Sequence, residues 1–301
     1  MLAAAPLLVL SAPGAEGSRL ATMLGRHPDA YGFPELNLHL APTLDGLLSV
    51  FKVSQGNEAD GLARTLAELF CGGQNTEGLR AARRWMERRA DWSAAELLRV
   101  LGERVAPRLP VFGESALGWR PHELEGWLAQ VPDARVLHLV RHPRQQCAEV
   151  AVRLHGPLFV PPDYKDYGVE PAVIDPQLAW YRINRNIEQG LAMLPPQQVR
   201  RMQAEELFVA PERTLREACA WAGLPFSPAA LQRMLSPEDS PYAAIGLPEA
   251  PYGLEPGFHE SPQFTGRLRP RLSMQGPLEW RGDGKPFAAE VVALAESYGY
   301  R

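Results

Sequence analysis

The sequence predicts an α/β fold: three layers, with a short central parallel sheet flanked by helices on both faces. Two observations carry this. Four short segments read as buried strands: "PLLVLS" (6–11), "LPVFGES" (109–115), "ARVLHLVR" (134–141) and "QVRRMQAEEL" (198–207). Between them run helical patterns, at 17–26, 57–72, 76–105, 121–130, 143–154, 176–194, 211–223, 228–235 and 286–298. Apolar strands that alternate with helices are covered on both faces, as parallel sheets are. With 301 residues, 46% of them hydrophobic and 22% charged, the chain can bury a substantial core.

In chain order, the apolar opening "MLAAAPLLVLSAPG" lacks a basic leader and reads as the first strand rather than a signal peptide. It continues as "LVLSAPGAEGSRLATMLGRHP" (8–28), a strand running into a glycine-bearing loop and then a helix. That geometry aims backbone N–H groups and the positive end of a helix dipole at an anion. The side chains pull the other way, because Glu16 lies in the loop and the first cation, Arg19, is already on the helix. The lysine of a GxxxxGK[ST] loop is missing, which disfavours a kinase or NTPase. A helical insertion follows at about 40–105. The second buried strand ends in Glu114-Ser115-Ala116 and the third in Arg141-His142-Pro143. The segment 236–285, rich in Pro and Gly, is too long for a plain connector and reads as a lid folded over the site. Ligands of open α/β sheets bind beyond the carboxyl ends of the strands. The residues to interrogate are therefore 11–18, 114–119, 141–144 and 205–208.

A formal charge of −4 gives no field favouring nucleic acid or an anionic membrane, so an anionic ligand has to be held by local cations. Cys71, Cys147 and Cys219 are scattered, with no CxxC pair, which argues against a disulfide framework and a zinc site and for a reducing cytoplasm. No apolar run approaches the roughly 18 residues of a membrane span. No metal site is expected.

Four patterns in order carry a family resemblance: "LVLSAPGAEGSRLATMLGRHP", then "YGFPELNLH", then "VLHLVRHPRQQCAEV", then "WYRINRNI" followed by "RRMQAEELFVAPERTLREACAWAGLPF". Together they resemble the sulfotransferases that use 3′-phosphoadenosine-5′-phosphosulfate (PAPS), above all the bacterial stand-alone and polyketide-synthase-associated branch. The resemblance runs over about 6–230 and thins beyond. It implies one domain over 1–301 with a P-loop NTPase-like sulfotransferase fold, and a small or acyl-carrier-tethered acceptor in bacterial secondary metabolism. It implies that Gly14, Gly17, Ser18 and Arg19 hold the 5′-phosphosulfate and that Arg141 holds the 3′-phosphate. Arg267, with Arg269 and Arg271, falls where the family's nucleotide-gripping basic loop would lie. Glu35 or His39 is the candidate base, the two sharing one face if their segment is helical. Asn184, Arg185 and Asn186 match the branch, and Trp180 reads as core.

The chain departs from this pattern at the donor site. Ala15 stands where Arg or Lys is expected, Glu114-Ser115-Ala116 where Lys-Ser-Pro is usual, and Glu149 where the family has the serine that joins Arg141 on the 3′-phosphate. A carboxylate facing a phosphate at about 4 Å is repulsive by roughly 4 kcal/mol at an effective dielectric near 20. A second reading follows, in which the fold has left PAPS behind and performs other acid-base chemistry on, or only binds, a small or carrier-bound ligand. In that case Glu149 is expected to pair with Arg141 or Arg144.

Overall fold

The computed structural model describes residues 5–54, 57–115, 117–154, 160–266 and 273–301. Its central sheet has five parallel strands in the order β2-β3-β1-β4-β7: β1 (Leu7–Ser11), β2 (Ala30–Gly32), β3 (Leu109–Glu114), β4 (Arg135–Val140) and β7 (Val199–Gln203). β5 (Lys165–Asp166) and β6 (Val173–Ile174) form a separate antiparallel pair. Register places Leu10 beside Glu114, Ser11 beside Leu139, and Val140 beside Gln203. The loops after β1, β3, β4 and β7 therefore leave from one edge, where a ligand site belongs.

Among the described residues the α-helices are α1 (Gly17–Gly25), α2 (Leu44–Ser54), α3 (Asp60–Phe70), α4 (Thr76–Glu87), α5 (Ala94–Val105), α6 (Pro121–Gln130), α7 (Pro143–Leu154), α8 (Gln177–Leu191), α9 (Ala204–Val209), α10 (Pro211–Ala222), α11 (Pro228–Met234), α12 (Pro256–Glu260) and α13 (Ala289–Ser297). Side chains of a strand alternate between faces. Leu8 and Leu10 of β1 accordingly pack with residues of α3–α6 and α8, while Leu7 and Val9 pack with α1, α10 and α11. Both faces of β1 are covered, so its side chains can be apolar on each face. None of the described helices is long and apolar enough to cross a membrane.

Three local readings are corrected. The pattern over 76–105 is two helices, α4 and α5, because Ser93 starts a new one through a capping box with Glu96. The fourth strand stops at Gln203, and Ala204–Val209 is helical. The segment carrying Glu35 and His39 is not a helix: 33–37 is irregular, Asn37 is left-handed at φ 54°, and only Leu38–Leu40 forms a 3₁₀ turn. The two side chains therefore do not share a helical face. The short strand β2 and helix α2 carry no clear sequence signal of their own.

Arginines fasten the segment 236–285 to the body. Arg64 of α3 donates to the carbonyls of Tyr252, Pro241 and Ala244, at 2.8, 3.3 and 3.0 Å. Arg144 of α7 donates to the carbonyls of Ser273, Gln275, Gly276 and Pro277. Within the segment, Tyr242, Ala243, Leu254 and Phe258 form a small core of their own.

Candidate active site

At the end of β1 the chain turns through Pro13 and Gly14 into α1. Gly14 lies at φ 81° and Glu16 at φ 71°, left-handed backbone that curls the loop so that the N–H groups of Gly14 and Ser18 face one point while Ala15 N–H turns back onto the Ala12 carbonyl. Gly17 admits no side chain, since a Cβ there would collide with Ser11 Oγ. The N–H groups of the loop hold an anion, and that anion belongs to the protein itself. Gly14 N–H donates to Glu255 Oε1 at 2.7 Å and Ser18 N–H to Glu255 Oε2 at 3.4 Å. The backbone N–H of Glu255 in turn donates to Ser18 Oγ at 3.0 Å. A carboxylate straddles the position that the sequence assigns to a phosphosulfate.

Arg19 makes its hydrogen bonds to Glu16 and to 261–263 rather than to the carboxylate in the cradle. Its Nε donates to Glu16 Oε2 at 2.9 Å, its other nitrogens donate to the carbonyls of Ser261, Pro262 and Gln263, and its guanidinium lies 5.3 Å from the centre of the Phe258 ring. It pins the segment that carries Glu255.

At the end of β4, Arg141 is buried, with only 2% of its side chain exposed. It donates to the Gly14 carbonyl at 2.7 Å and grips both carboxylate oxygens of Glu149, each at 2.6 Å. Glu149 lies two turns along the helix that begins just past β4, so the strand-to-helix turn brings it back over the arginine. Such a fork-on-fork pair is the stronger kind of charge-assisted contact. Arg144, the other candidate partner, is occupied by Glu279 and by the carbonyls of 273–277.

A cleft of about 1000 Å³ opens over these two places, lined among others by Gly14, Glu16, Arg19, Arg141, Glu149 and Glu255. Its arginines are each engaged by an acid: Arg19 by Glu16, Arg141 by Glu149, and Arg153 by Glu260 at 3.1 Å.

Glu35 sits behind Ser18, whose hydroxyl lies 3.4 Å from its Oε1. Its backbone is clamped from two sides. Its N–H donates to the Gly253 carbonyl at 2.7 Å, and Gly61 of α3 packs so closely on its own carbonyl that a Cβ there would clash. Burial pushes the Glu35 carboxyl well above the usual range, and the charges of Glu255 and Glu114 push it further, against hydrogen bonds from Ser115. Glu114, at the end of β3, is buried and accepts from Leu36 N–H at 3.1 Å; burial raises it to about 8. Burial likewise raises Glu255. Three carboxyls with raised proton affinity thus meet at the sheet edge, the setting in which a carboxylate becomes a competent base near neutral pH.

His39 lies elsewhere, with its Nε2 4.0 Å from Glu123 of α6. Burial, then the charge of Arg120, lowers it to about 4, and neither ring nitrogen has a hydrogen bond among the described residues. Asn184 and Asn186 serve as ties: Asn184 bonds the Trp180 carbonyl and His138, and Asn186 bonds the carbonyls of Gly118 and Trp119. Arg185 pairs with Glu188 at 3.1 Å. Trp180 is buried. Arg267, Arg269 and Arg271 lie outside the described residues. Sequence reasoning missed Glu255. It sits in an aperiodic stretch, and its only local mark is Gly253, whose φ of 128° and close approach to Gly61 aim the following residues at the first loop.

A parallel five-stranded sheet with helices on both faces, and a tight loop after its first strand, places the candidate site beyond the carboxyl ends of the strands. Residues 6–228 match the sulfotransferase family. The chain belongs to that family of transferase enzymes. No curated protein matches it. Among solved structures it is similar to the sulfotransferase domain from the curacin biosynthetic pathway, at 23% identity and a TM-score of 0.76 over 98% of each chain. It is also similar to the sulfotransferase domain of the Synechococcus PCC 7002 olefin synthase, at 21% identity and a TM-score of 0.71 over 98% of this chain and 94% of that one. At these identities the likeness establishes the fold.

Proposed function

We propose that the chain moves a sulfuryl group from PAPS to a hydroxyl of a small or carrier-tethered acceptor in a bacterial biosynthetic pathway, working in the cytoplasm. One observation carries the reading: the N–H groups of Gly14 and Ser18 converge on an anion, with Glu35 directly behind Ser18. In sulfuryl transfer these N–H groups stabilise charge on the phosphosulfate, and Glu35 accepts the proton of the attacking hydroxyl. Its raised proton affinity suits that role, whereas His39 lies against α6. Family membership supports the donor, and the pathway of the curacin domain supports a biosynthetic acceptor. The first loop fits the donor once Glu255 has withdrawn. The β4 end fits the 3′-phosphate only if Glu149 swings off Arg141. The test is calorimetry with 3′-phosphoadenosine-5′-phosphate, the desulfated donor product. Binding supports the reading, and no heat up to millimolar nucleotide ends it.

A second reading rests on the Arg141–Glu149 pair at 2.6 Å, which closes the 3′-phosphate position with the protein's own carboxylate. Here the chain keeps the fold and Glu35, gives up the nucleotide, and performs acid-base chemistry on another small-molecule or carrier-bound ligand. The discriminating variant is E149S. Tighter nucleotide binding favours PAPS, and a lower melting temperature without binding favours the second reading.

A further inference from the structure

We propose that Glu255 is a built-in occupant of the anion seat, a latch whose carboxylate competes with any sulfate or phosphate group for the N–H groups of Gly14 and Ser18. The proposal rests on the reading of the first loop as the donor's seat and adds a control on entry to it. Both carboxylate oxygens are engaged, one by each N–H group. The backbone of Glu255 adds a third link through Ser18 Oγ. A second anion cannot share that position, since two like charges in contact repel by several times the strength of one hydrogen bond.

Glu255 is also unable to leave alone. It is flanked by Gly253, whose carbonyl holds Glu35 N–H, and by 261–263, whose carbonyls hold Arg19. Leu254 and Phe258 on either side belong to the small core with Tyr242 and Ala243. The seat therefore opens when the stretch 253–263 lifts as a unit, which releases Arg19 and exposes Ser18 in the same movement. An incoming anion shifts this equilibrium only by the difference between its affinity for the open and closed forms. The sequence places no lysine or arginine within the loop itself, so the latch competes on nearly equal terms. Selectivity follows: a lone anion gains too little, whereas a ligand that also binds elsewhere in the cleft gains enough to displace Glu255.

The test titrates inorganic sulfate into the wild-type chain, E255A and E255Q, followed by calorimetry and thermal melting. E255A is expected to bind sulfate at least tenfold more tightly than wild type. E255Q is expected to fall between them, because its amide oxygen still accepts an N–H but carries no charge. Equal sulfate affinity in all three proteins overturns the latch. Should E255A lose its melting transition, E255Q against wild type decides by the same criterion. Titrating 3′-phosphoadenosine-5′-phosphate into the same proteins separates the two levels of the reading. Tighter sulfate binding without nucleotide binding keeps the latch and discards the nucleotide donor. Nucleotide binding that E255A leaves unchanged discards the latch and keeps the donor.

Discussion

At the end of β1 the carboxylate on the backbone cradle comes from Glu255, 237 residues beyond Ser18. At the end of β4 the carboxylate on Arg141 comes from Glu149, eight residues away on the adjoining helix. The two closures look alike and behave differently. Glu149 is 48% exposed and can rotate into water without moving any backbone, but it leaves behind a guanidinium that is 2% exposed. Glu255 leaves behind only N–H groups that water can satisfy, yet it is tied into a packed segment and must take that segment with it. One closure is cheap in motion and costly in charge, and the other is the reverse. The two positions proposed for the donor's phosphates are thus closed by separate means, and each has its own way of reopening.

The largest expected effect falls on the residue between them. On the proposed function, Glu35→Gln should lower sulfuryl-transfer turnover by about 10²- to 10⁴-fold, the usual worth of a positioned base, with the melting temperature little changed near neutral pH, because burial already favours the protonated carboxyl and the amide keeps its size. A variant that turns over normally would move the base elsewhere and leave the two closures without a reacting centre to guard.

Arg141→Ala comes next and bears on the β4 end alone. It deletes a buried cation, its bond to the Gly14 carbonyl and its grip on Glu149, so stability should fall by about 2–3 kcal/mol, read as a drop of several degrees in melting temperature. Glu149→Ser should lose less, because its own side chain is half exposed, but the loss should be measurable since it strands Arg141. Glu255→Gln should show no such loss, because the carboxyl it neutralises stands close to Glu35 and Glu16. Equal destabilisation by these two substitutions would erase the distinction between the closures.

The last expected effect concerns pH. Glu114 is held neutral by burial, its carboxyl raised to about 8. For a carboxyl raised in the folded state, its contribution is complete below the ordinary value near 4.5 and is lost as pH rises through about 8. The wild-type melting temperature should therefore decline over that window. Glu114→Gln, which keeps an oxygen for Leu36 N–H, should flatten the decline. A wild-type profile that rises between pH 5 and 8 would mean that the cluster is ionised and paired.

The sheet was legible because periodicity reports burial directly. Strands with apolar runs rather than apolar–polar alternation announce two covered faces, and three of the four sequence-read strands keep their bounds to within a residue or two. Residues 30–32 form too short a strand to show a period, and the break at Ser93 is a capping event inside an otherwise helical pattern. The site was legible only in its local half. The loop after β1 and the Arg141–Glu149 spacing are relations within one strand and helix, so sequence distance stands in for spatial distance. Glu255 reaches the same site through a Pro- and Gly-rich segment without period, fixed by arginine-to-carbonyl bonds from Arg19 and Arg64 that no residue pattern announces. The separation of Glu35 from His39 turns on one left-handed residue, Asn37, in a stretch that the spacing alone would let be helical.

On the proposals above, two carboxylates, one on a lifting segment and one on a fixed helix, close the two phosphate positions of a donor site. The most direct measurement is calorimetric titration of 3′-phosphoadenosine-5′-phosphate into the E149S/E255A double variant beside both single variants and the wild-type chain. Each single substitution is expected to tighten binding about tenfold and the pair at least a hundredfold, a gain of about 2.8 kcal/mol. A folded double variant that binds the nucleotide no better than the wild-type chain would show that the two carboxylates do not guard a nucleotide site.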